Sequence, residues 1–506
     1  MRRFARDIVI IAGATAVSRV FGLFRDIVIA DKFGAGTAYD AYLIAFYVPH
    51  FLRRLLAEGA LALSFIPVYT DYLKNDPREA SKLAANAINL SLLTFPLIVL
   101  GGILLAPYFV PFLASGFSPS QQKLTIELTR VIFPFIGIIG MAALVMGVLK
   151  SRKTFFAPAF APVFFNVGVI AGALFLGRFF SRPIFGLAVG VLLGGMGQLG
   201  FQLPYLNRSG FSWSPVLFPL HPGLKRALKM MVPVVLGLIA MQVNVMVDNK
   251  LASHLVAGSV SSLQYATRLY QLPLGLFAIA ISTAILPRLS EKWASGEKSD
   301  YAEMLNRGIK ISLLIVVPAT LGLFVLGKPI IELLFEHRNF LPSDTVRTTH
   351  VLHLYLVGLI GYSFVTLFSR AFYSMKDTIT PVIVSSIAVG VNVGLDLLLI
   401  GPMKVGGLAL ATGVSGVVNG LLLVVAFGIR TGLRGYLPGS LFLVRVLVSA
   451  GIMGIVVSIV RKFIPLASDF SVVTLGVIAG IASYVCAGIL LGLKETFLEE
   501  LVQMGD

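Results

Sequence analysis

Three stretches place charge where the surrounding sequence is apolar. The first is SRVFGLFRD (Ser18–Asp26), in which Arg19, Arg25 and Asp26 interrupt an apolar run from Ile8 to about Phe33. A charge at the centre of a membrane helix costs roughly 2.5–3.5 kcal/mol on insertion scales, so such residues mark a wet cavity, an ion pair or a ligand. Gly22 lies between the two arginines and offers a point of bending or unwinding. The second is DAYLIAFYVPHFLRRLLAEGALALSF (Asp40–Phe65), with Arg53, Arg54 and Glu58 near its middle and Pro49 as a candidate kink. Arg54 and Glu58 are spaced to pair on one helix face, which leaves Arg53 for another partner. The third is YATRLYQLPLGLFAIAIST (Tyr265–Thr283), where Arg268 has no acid close in sequence. A guanidinium stays charged and donates a planar fork of hydrogen bonds, which suits phosphate. Arg25, Arg53 and Arg268, brought together from three helices, imply an anionic ligand, with a diphosphate the natural candidate. The competing reading puts Arg25 and Asp26 near a helix end and locks Arg19 to a carboxylate as structure.

A second set is rich in oxygen. Asp248, Asn392, Asp396 and Thr412 offer carboxylate, amide and hydroxyl groups, and Asn392 and Asp396 are four residues apart. These are the ligands of a small hard cation, so the set reads as a Na⁺ or H⁺ coupling site. The alternative is a solvated Asp248 at a helix end and an Asp396 satisfied by local hydrogen bonds. GMGQLG (Gly195–Gly200) matches a dinucleotide-binding pattern, but it lies in an apolar run with no strand before it, so close helix packing is the expectation. His350 and His353 are three residues apart without an evident third ligand, and no nucleophile elbow is present.

The elements that must position these residues are membrane helices. Of 506 residues, 57% are hydrophobic and 13% charged, where soluble domains carry about 25% charged residues. Such a chain is an integral membrane protein. A single cysteine, Cys486, excludes a disulfide framework. The net charge of +17 reflects cytoplasmic loops and intramembrane arginines, not nucleic acid. The first apolar run is too long for a cleavable signal peptide. A bilayer span needs about 20 apolar residues, and that ruler predicts about 14 spans: 8–32, 40–68, 83–108, 126–149, 157–177, 184–206, 227–249, 260–286, 309–327, 349–374, 380–400, 405–428, 440–460 and 471–493. With the N-terminus inside, the inner segments hold 22 Lys and Arg and the outer ones 11. That bias places both termini in the cytoplasm.

An internal repeat runs through the chain. SRKTFFAP (Ser151–Pro158) precedes NVG (Asn166–Gly168), and SMKDTITP (Ser374–Pro381) precedes NVG (Asn392–Gly394). GLAVG (Gly186–Gly190) and GLALATG (Gly407–Gly413) follow in turn. The spacing predicts two pseudo-repeated six-helix lobes, at 1–220 and 221–435, with two extra helices and a tail at 436–506. Such repeats are a transporter signature.

SRVFGLFRD, DAYLIAFYVPHFLRRLLAEGALALSFIPVY (Asp40–Tyr69) and LQYATRLYQLPLGLFAIAISTAILP (Leu263–Pro287) resemble the MurJ/MviN lipid II flippases of the multidrug/oligosaccharidyl-lipid/polysaccharide exporter superfamily. The resemblance extends over nearly the whole chain. It implies transfer of the undecaprenyl-diphosphate-linked peptidoglycan precursor to the outer leaflet of the bacterial cytoplasmic membrane by alternating access. It also implies a cationic cavity between two lobes for the headgroup and a groove on the last two helices for the lipid tail. Carried over by position, the cavity residues are Arg19, Arg25, Arg53 and Arg268, with Asp26, Asp40 and Glu58 nearby. A sodium site seen in some members corresponds to Asp248, Asn392, Asp396 and Thr412. The expected partners are lipid II and membrane lipids, with no nucleic acid, no cofactor beyond a coupling Na⁺, and a monomeric state. The rivals are a cation-coupled drug or polysaccharide-lipid exporter of the same superfamily and a membrane-embedded polyprenyl-phosphate enzyme. A drug exporter should have 12 helices and an acidic cavity, and the enzyme needs a paired-carboxylate metal site or an activated nucleophile, neither of which is evident.

The charge bias makes a direct prediction about topology. In a Cys486→Ser background, a Lys298→Cys variant should resist an impermeant thiol reagent added outside the cell; labelling there would overturn the 14-span arrangement.

Overall fold

The computed structural model describes residues 2–53, 61–217, 219–463 and 468–493. Every regular element among them is helical. By packing, the helices form two units, Met1–Val260 with Arg338–Phe340, and Ser261–His337 with Leu341–Asp506.

The first unit contains α1 (Arg2–Phe33), α2 (Thr37–Arg53), α3 (Leu61–Asn75), α4 (Pro77–Leu113), α5 (Pro119–Ile132), α6 (Phe135–Ser151), α7 (Phe156–Phe160), α8 (Pro162–Ala171), α9 (Ile184–Arg208) and α10 (Pro222–Ser253). The second contains α11 (Ser259–Pro273), whose first two residues fall in the first unit, then α12 (Ile279–Ala294), α13 (Lys298–Phe335), α14 (Pro342–Leu356) and α15 (Leu359–Ser374). It continues with α16 (Ile379–Met403), α17 (Val405–Thr431), α18 (Ser440–Phe463) and α19 (Asp469–Leu490). Two π-helical segments interrupt the series, Gly172–Leu176 after α8 and Leu274–Ala278 between α11 and α12.

In hydrocarbon the backbone must satisfy itself, which is why apolar sequence of this kind becomes helix. The helix starts are written locally. Asp76 accepts from the N–H groups of Arg78 and Glu79 with Pro77 at the first helical position of α4. Ser118 and Pro119 do the same for α5, and His221 and Pro222 for α10. A capping side chain followed by proline supplies an acceptor and a preset φ.

Ten described helical stretches are long and apolar enough to cross a membrane, or eleven if the bent pair α14 and α15 is one span. The expectation of about 14 is therefore supported directly only to that number. The three expected spans not among them correspond to α1, to α2 with α3, and to α10; between α2 and α3, residues 54–60 lie outside the described residues. The chain is nonetheless an all-α, multi-pass membrane protein. Its helices turn apolar side chains outward, as with Tyr108 on α4 and Leu398 on α16, at 77% and 72% exposure.

The internal repeat is visible in the backbone. Lys153 and Lys376, at matching positions of SRKT and SMKD, both adopt left-handed φ, 60° and 63°. In each case the residue after the lysine donates five residues back, Thr154 to the Leu149 carbonyl and Asp377 to that of Phe372. This is the same helix-ending motif, with lysine where glycine is usual. The repeat extends to α4 and α13, which carry Pro96 and Pro107, and Pro318 and Pro329, in the same spacing. Proline removes the N–H that would reach the carbonyl four residues back. At the second proline of each pair, Pro107 and Pro329, an arginine fills the gap. Arg130 Nε on α5 donates to the Ile103 carbonyl at 3.3 Å, and Arg461 Nη1 on α18 to that of Val325 at 3.1 Å. His353, the repeat counterpart of Arg130, stacks on Phe324 beside this second opening.

GMGQLG lies within α9; a Cβ on its Gly195 or Gly197 would meet the side chains of Phe135 or Phe164, its Gly200 has nothing within 4 Å, and the close backbone approach is made by glycines that precede it. Gly186, Gly190 and Gly194 of α9 meet the backbone of the α8 helix and its π-helical continuation. A Cβ on Gly190 would stand 2.7 Å from the Gly168 carbonyl oxygen and 2.8 Å from the Gly172 Cα. Neither neighbour is a flexible side chain, so Gly190→Ala should destabilise the protein by about 1–3 kcal/mol through overpacking. Gly390→Ala, which meets nothing within 4 Å, serves as the control. Thermal melting of the two variants in detergent checks this, and equal melting temperatures would contradict the close approach.

Candidate functional site

Helix α1 carries Ser18, Gly22, Arg25 and Asp26 on successive turns, so all four share one side of the helix. It remains α-helical through Gly22. Helix α8 packs along it and presents Asn166, the asparagine of the first NVG motif. The Arg25 guanidinium donates twice to Asp26 Oδ1, from Nε at 2.9 Å and from Nη2 at 2.7 Å. Its Nη1 donates to Asn166 Oδ1 at 3.0 Å. Asn166 Nδ2 in turn donates to the Ser18 carbonyl at 3.1 Å. The side chains of Arg25 and Asp26 are only 15% and 10% exposed, and Asn166 is buried.

These contacts commit three of the five guanidinium N–H groups and leave two. The carboxylate offsets much of the cost of the buried charge, and the amide adds a hydrogen bond without adding charge. In the sequence Asn166 stands out only as a marker of the repeat. Its partner lies 141 residues away in sequence, and no local pattern announces such a contact.

The other arginines have different settings. Arg19 is exposed on α1, and Arg53 is half-buried on α2. Arg268 is half-buried on α11 in the second unit. Arg54 and Glu58, and with them their expected pairing, lie outside the described residues.

Asp40 sits in the first turn of α2, 2% exposed, where its Oδ2 accepts the Gly258 N–H at 2.6 Å. Gly258 has φ +87°, a conformation that L side chains rarely adopt. The contact ties the start of α2 to the turn that follows α10.

The helices of Asn166 and Arg268 share one further property. A π-helical segment starts six residues after each, at Gly172 and at Leu274. Such widened turns are frequent at functional sites.

In the oxygen-rich set, Asp248 is half-buried near the end of α10. Asn392 and Asp396 are buried on one face of α16. Asn392 Nδ2 reaches Thr412 Oγ1 of α17 at 3.4 Å, while the Thr412 hydroxyl donates to the Leu408 carbonyl at 3.0 Å. Asn392 Oδ1 is buried without a hydrogen-bond partner, an acceptor of the kind a hard cation takes. No group of three His, Cys, Asp or Glu able to hold a metal occurs among the described residues.

Comparison with known proteins points to one family. The sequence profile described as "Lipid II flippase MurJ" matches residues 29–490. A "Probable lipid II flippase MurJ" of Vibrio cholerae is 35% identical over 432 residues, 83% of this chain and 82% of that protein. A "Lipid II flippase MurJ" of Burkholderia cenocepacia is 34% identical over 83% of this chain and 82% of its own length. Among solved structures, "Lipid II flippase MurJ, inward closed conformation" aligns with a TM-score of 0.82 at 28% identity, covering 98% of this chain and 100% of that one. An inward-facing multidrug resistance MATE family transporter of the MOP superfamily aligns at 0.70 with 17% identity, covering 82% of this chain and 94% of its own. That second likeness is one of fold.

Proposed function

This chain belongs to the lipid II flippase MurJ family, and on that premise we propose that it carries lipid II from the cytoplasmic to the outer leaflet of the bacterial cytoplasmic membrane. Arg25, Arg53 and Arg268 bind the diphosphate, and the two lobes expected at 1–220 and 221–435 alternate access to it. The last two helices guide the lipid tail. The protein is a transporter supplying peptidoglycan synthesis, it acts as a monomer, and both termini are cytoplasmic. The observation that carries this reading is the Arg25 network. A guanidinium held inside an apolar helix keeps two N–H groups in hand, which is what a diphosphate requires. Arg19, Asp26, Asp40 and Glu58 complete the surroundings of the headgroup. A drug exporter of the same fold would need an acidic site for cationic drugs, which these arginines oppose.

Coupling to an ion follows from the second set. Asp248, Asn392, Asp396 and Thr412 are proposed as ligands of Na⁺, supported by the buried Asn392 oxygen and the carboxylate one turn away. Sodium should then raise the melting temperature of the purified protein relative to choline, and Asp396→Ala should abolish the difference. Equal melting temperatures in the two salts for the parent would argue against the sodium site.

The substrate reading is tested through the arginines. A hydrogen bond to a charged group is worth about 1.5–3 kcal/mol, so each of Arg25→Ala, Arg53→Ala and Arg268→Ala should weaken headgroup binding roughly ten- to a hundredfold. Each should also fail to complement flippase-depleted cells while remaining expressed and folded. Lysine replacements should restore only part of the function, because a point charge lacks the planar fork. Normal growth and lipid II translocation by all three alanine variants would remove the basis of the reading.

A further inference from the structure

We infer that Asn166 is a positioning residue for the diphosphate, holding the Arg25 guanidinium in place from a neighbouring helix without cancelling its charge. The inference rests on the reading that Arg25 binds the substrate.

The orientation of the Asn166 carboxamide is fixed by its two partners. Oδ1 accepts from Arg25 Nη1 at 3.0 Å, and Nδ2 donates to the Ser18 carbonyl at 3.1 Å. Turned over, the amide would set its NH₂ against the guanidinium and its oxygen against a carbonyl, and both bonds would be lost. The amide therefore grips α1 at two points, Ser18 and Arg25, on either side of Gly22. A Cβ at Gly22 would lie 3.8 Å from Nδ2, so the amide sits directly over that glycine.

Asp26 alone would leave the fork loosely held. It engages Arg25 through one oxygen, Oδ1, and it comes from the same helix, one residue along. The Asn166 contact adds a second anchor on a different nitrogen and from α8. Its chemistry suits the task. A carboxylate at this position would give Arg25 a second anion and compete with the diphosphate. An apolar side chain would leave Nη1 without a protein acceptor. An amide orients the guanidinium and leaves its remaining charge for the ligand.

The second copy of the motif supports the same logic. Asn392 occupies the matching position in α16, and its Oδ1 is buried without a hydrogen-bond partner. In the first copy the corresponding oxygen holds a cation that belongs to the protein itself, Arg25.

The test uses the purified full chain and a short-chain lipid II analogue that retains the diphosphate and sugars. Binding and melting temperature are measured for the parent, Arg25→Ala, Asn166→Ala, Asn166→Asp and the double variant Arg25→Ala/Asn166→Asp. Asn166→Asp is nearly isosteric, so a purely structural asparagine predicts that it binds at least as well as Asn166→Ala. The positioning role predicts the opposite order, with Asn166→Asp weakened by about tenfold or more and Asn166→Ala weakened less. In the Arg25→Ala background the Asp substitution should cost no further affinity, because the two residues act through one contact. Parent-like binding by both Asn166 variants, or losses that add in the double variant, would overturn the inference while leaving the role of Arg25 intact. Parent-like binding by Arg25→Ala would overturn the substrate reading itself, and the positioning role with it. Should Asn166→Asp not fold, the same cycle built on Asn166→Ala decides, with additive loss as the contrary result.

Discussion

A guanidinium inside an apolar helix must be neutralised and hydrogen-bonded by the protein, because hydrocarbon offers it nothing. Helices α1 and α8 meet that requirement together. Asp26 neutralises Arg25 from the next position on α1, and Asn166 reaches it from α8. The glycine contacts that draw α9 against the α8 segment hold the Asn166 helix in a tight pair. Gly22 leaves α1 open on the side where that amide lies.

The same economy governs the long helices. Each proline in α4 and α13 removes a backbone donor, and the carbonyl it exposes would be costly if buried without a partner. Arg130 and Arg461 supply donors from neighbouring helices to Ile103 and Val325. A helix opened by proline and closed by a side chain can bend at that point while its hydrogen bonds stay counted. The arrangement occurs in both copies of the repeat, with the donor drawn from α5 in one and from α18, outside the repeat, in the other. His353 stands where the first copy has Arg130, which explains why the second copy recruits its arginine from elsewhere.

Much of this was legible in the sequence because it is local. Apolar length identifies helices, and SRKT and SMKD announce the repeat whose lysines share one backbone conformation. GMGQLG lies inside a helix with no strand before it, while the glycines that make the close backbone contacts, Gly186, Gly190 and Gly194, fall outside that pattern. What the sequence hid is pairwise and distant. Asp40 accepts from a backbone N–H at Gly258, and Arg25 donates to an amide on another helix besides its neighbour Asp26. Neither leaves a periodic trace. The repeated prolines were equally visible as letters, but their meaning depends on which arginine reaches the carbonyl they free. The three expected spans beyond the ten or eleven that length and apolarity support, α1, α2 with α3, and α10, are those that carry Arg19, Arg25, Asp40, Arg53 and Asp248.

The central claim is that this chain moves lipid II across the membrane. The most direct measurement places the gene in flippase-depleted bacteria and follows whether the lipid II headgroup becomes accessible to a reagent confined to the outer face. Accessibility should return when the parent chain is expressed and remain absent with Arg25→Ala at equal protein levels. Lipid II that stays protected despite abundant, folded parent protein would contradict the account.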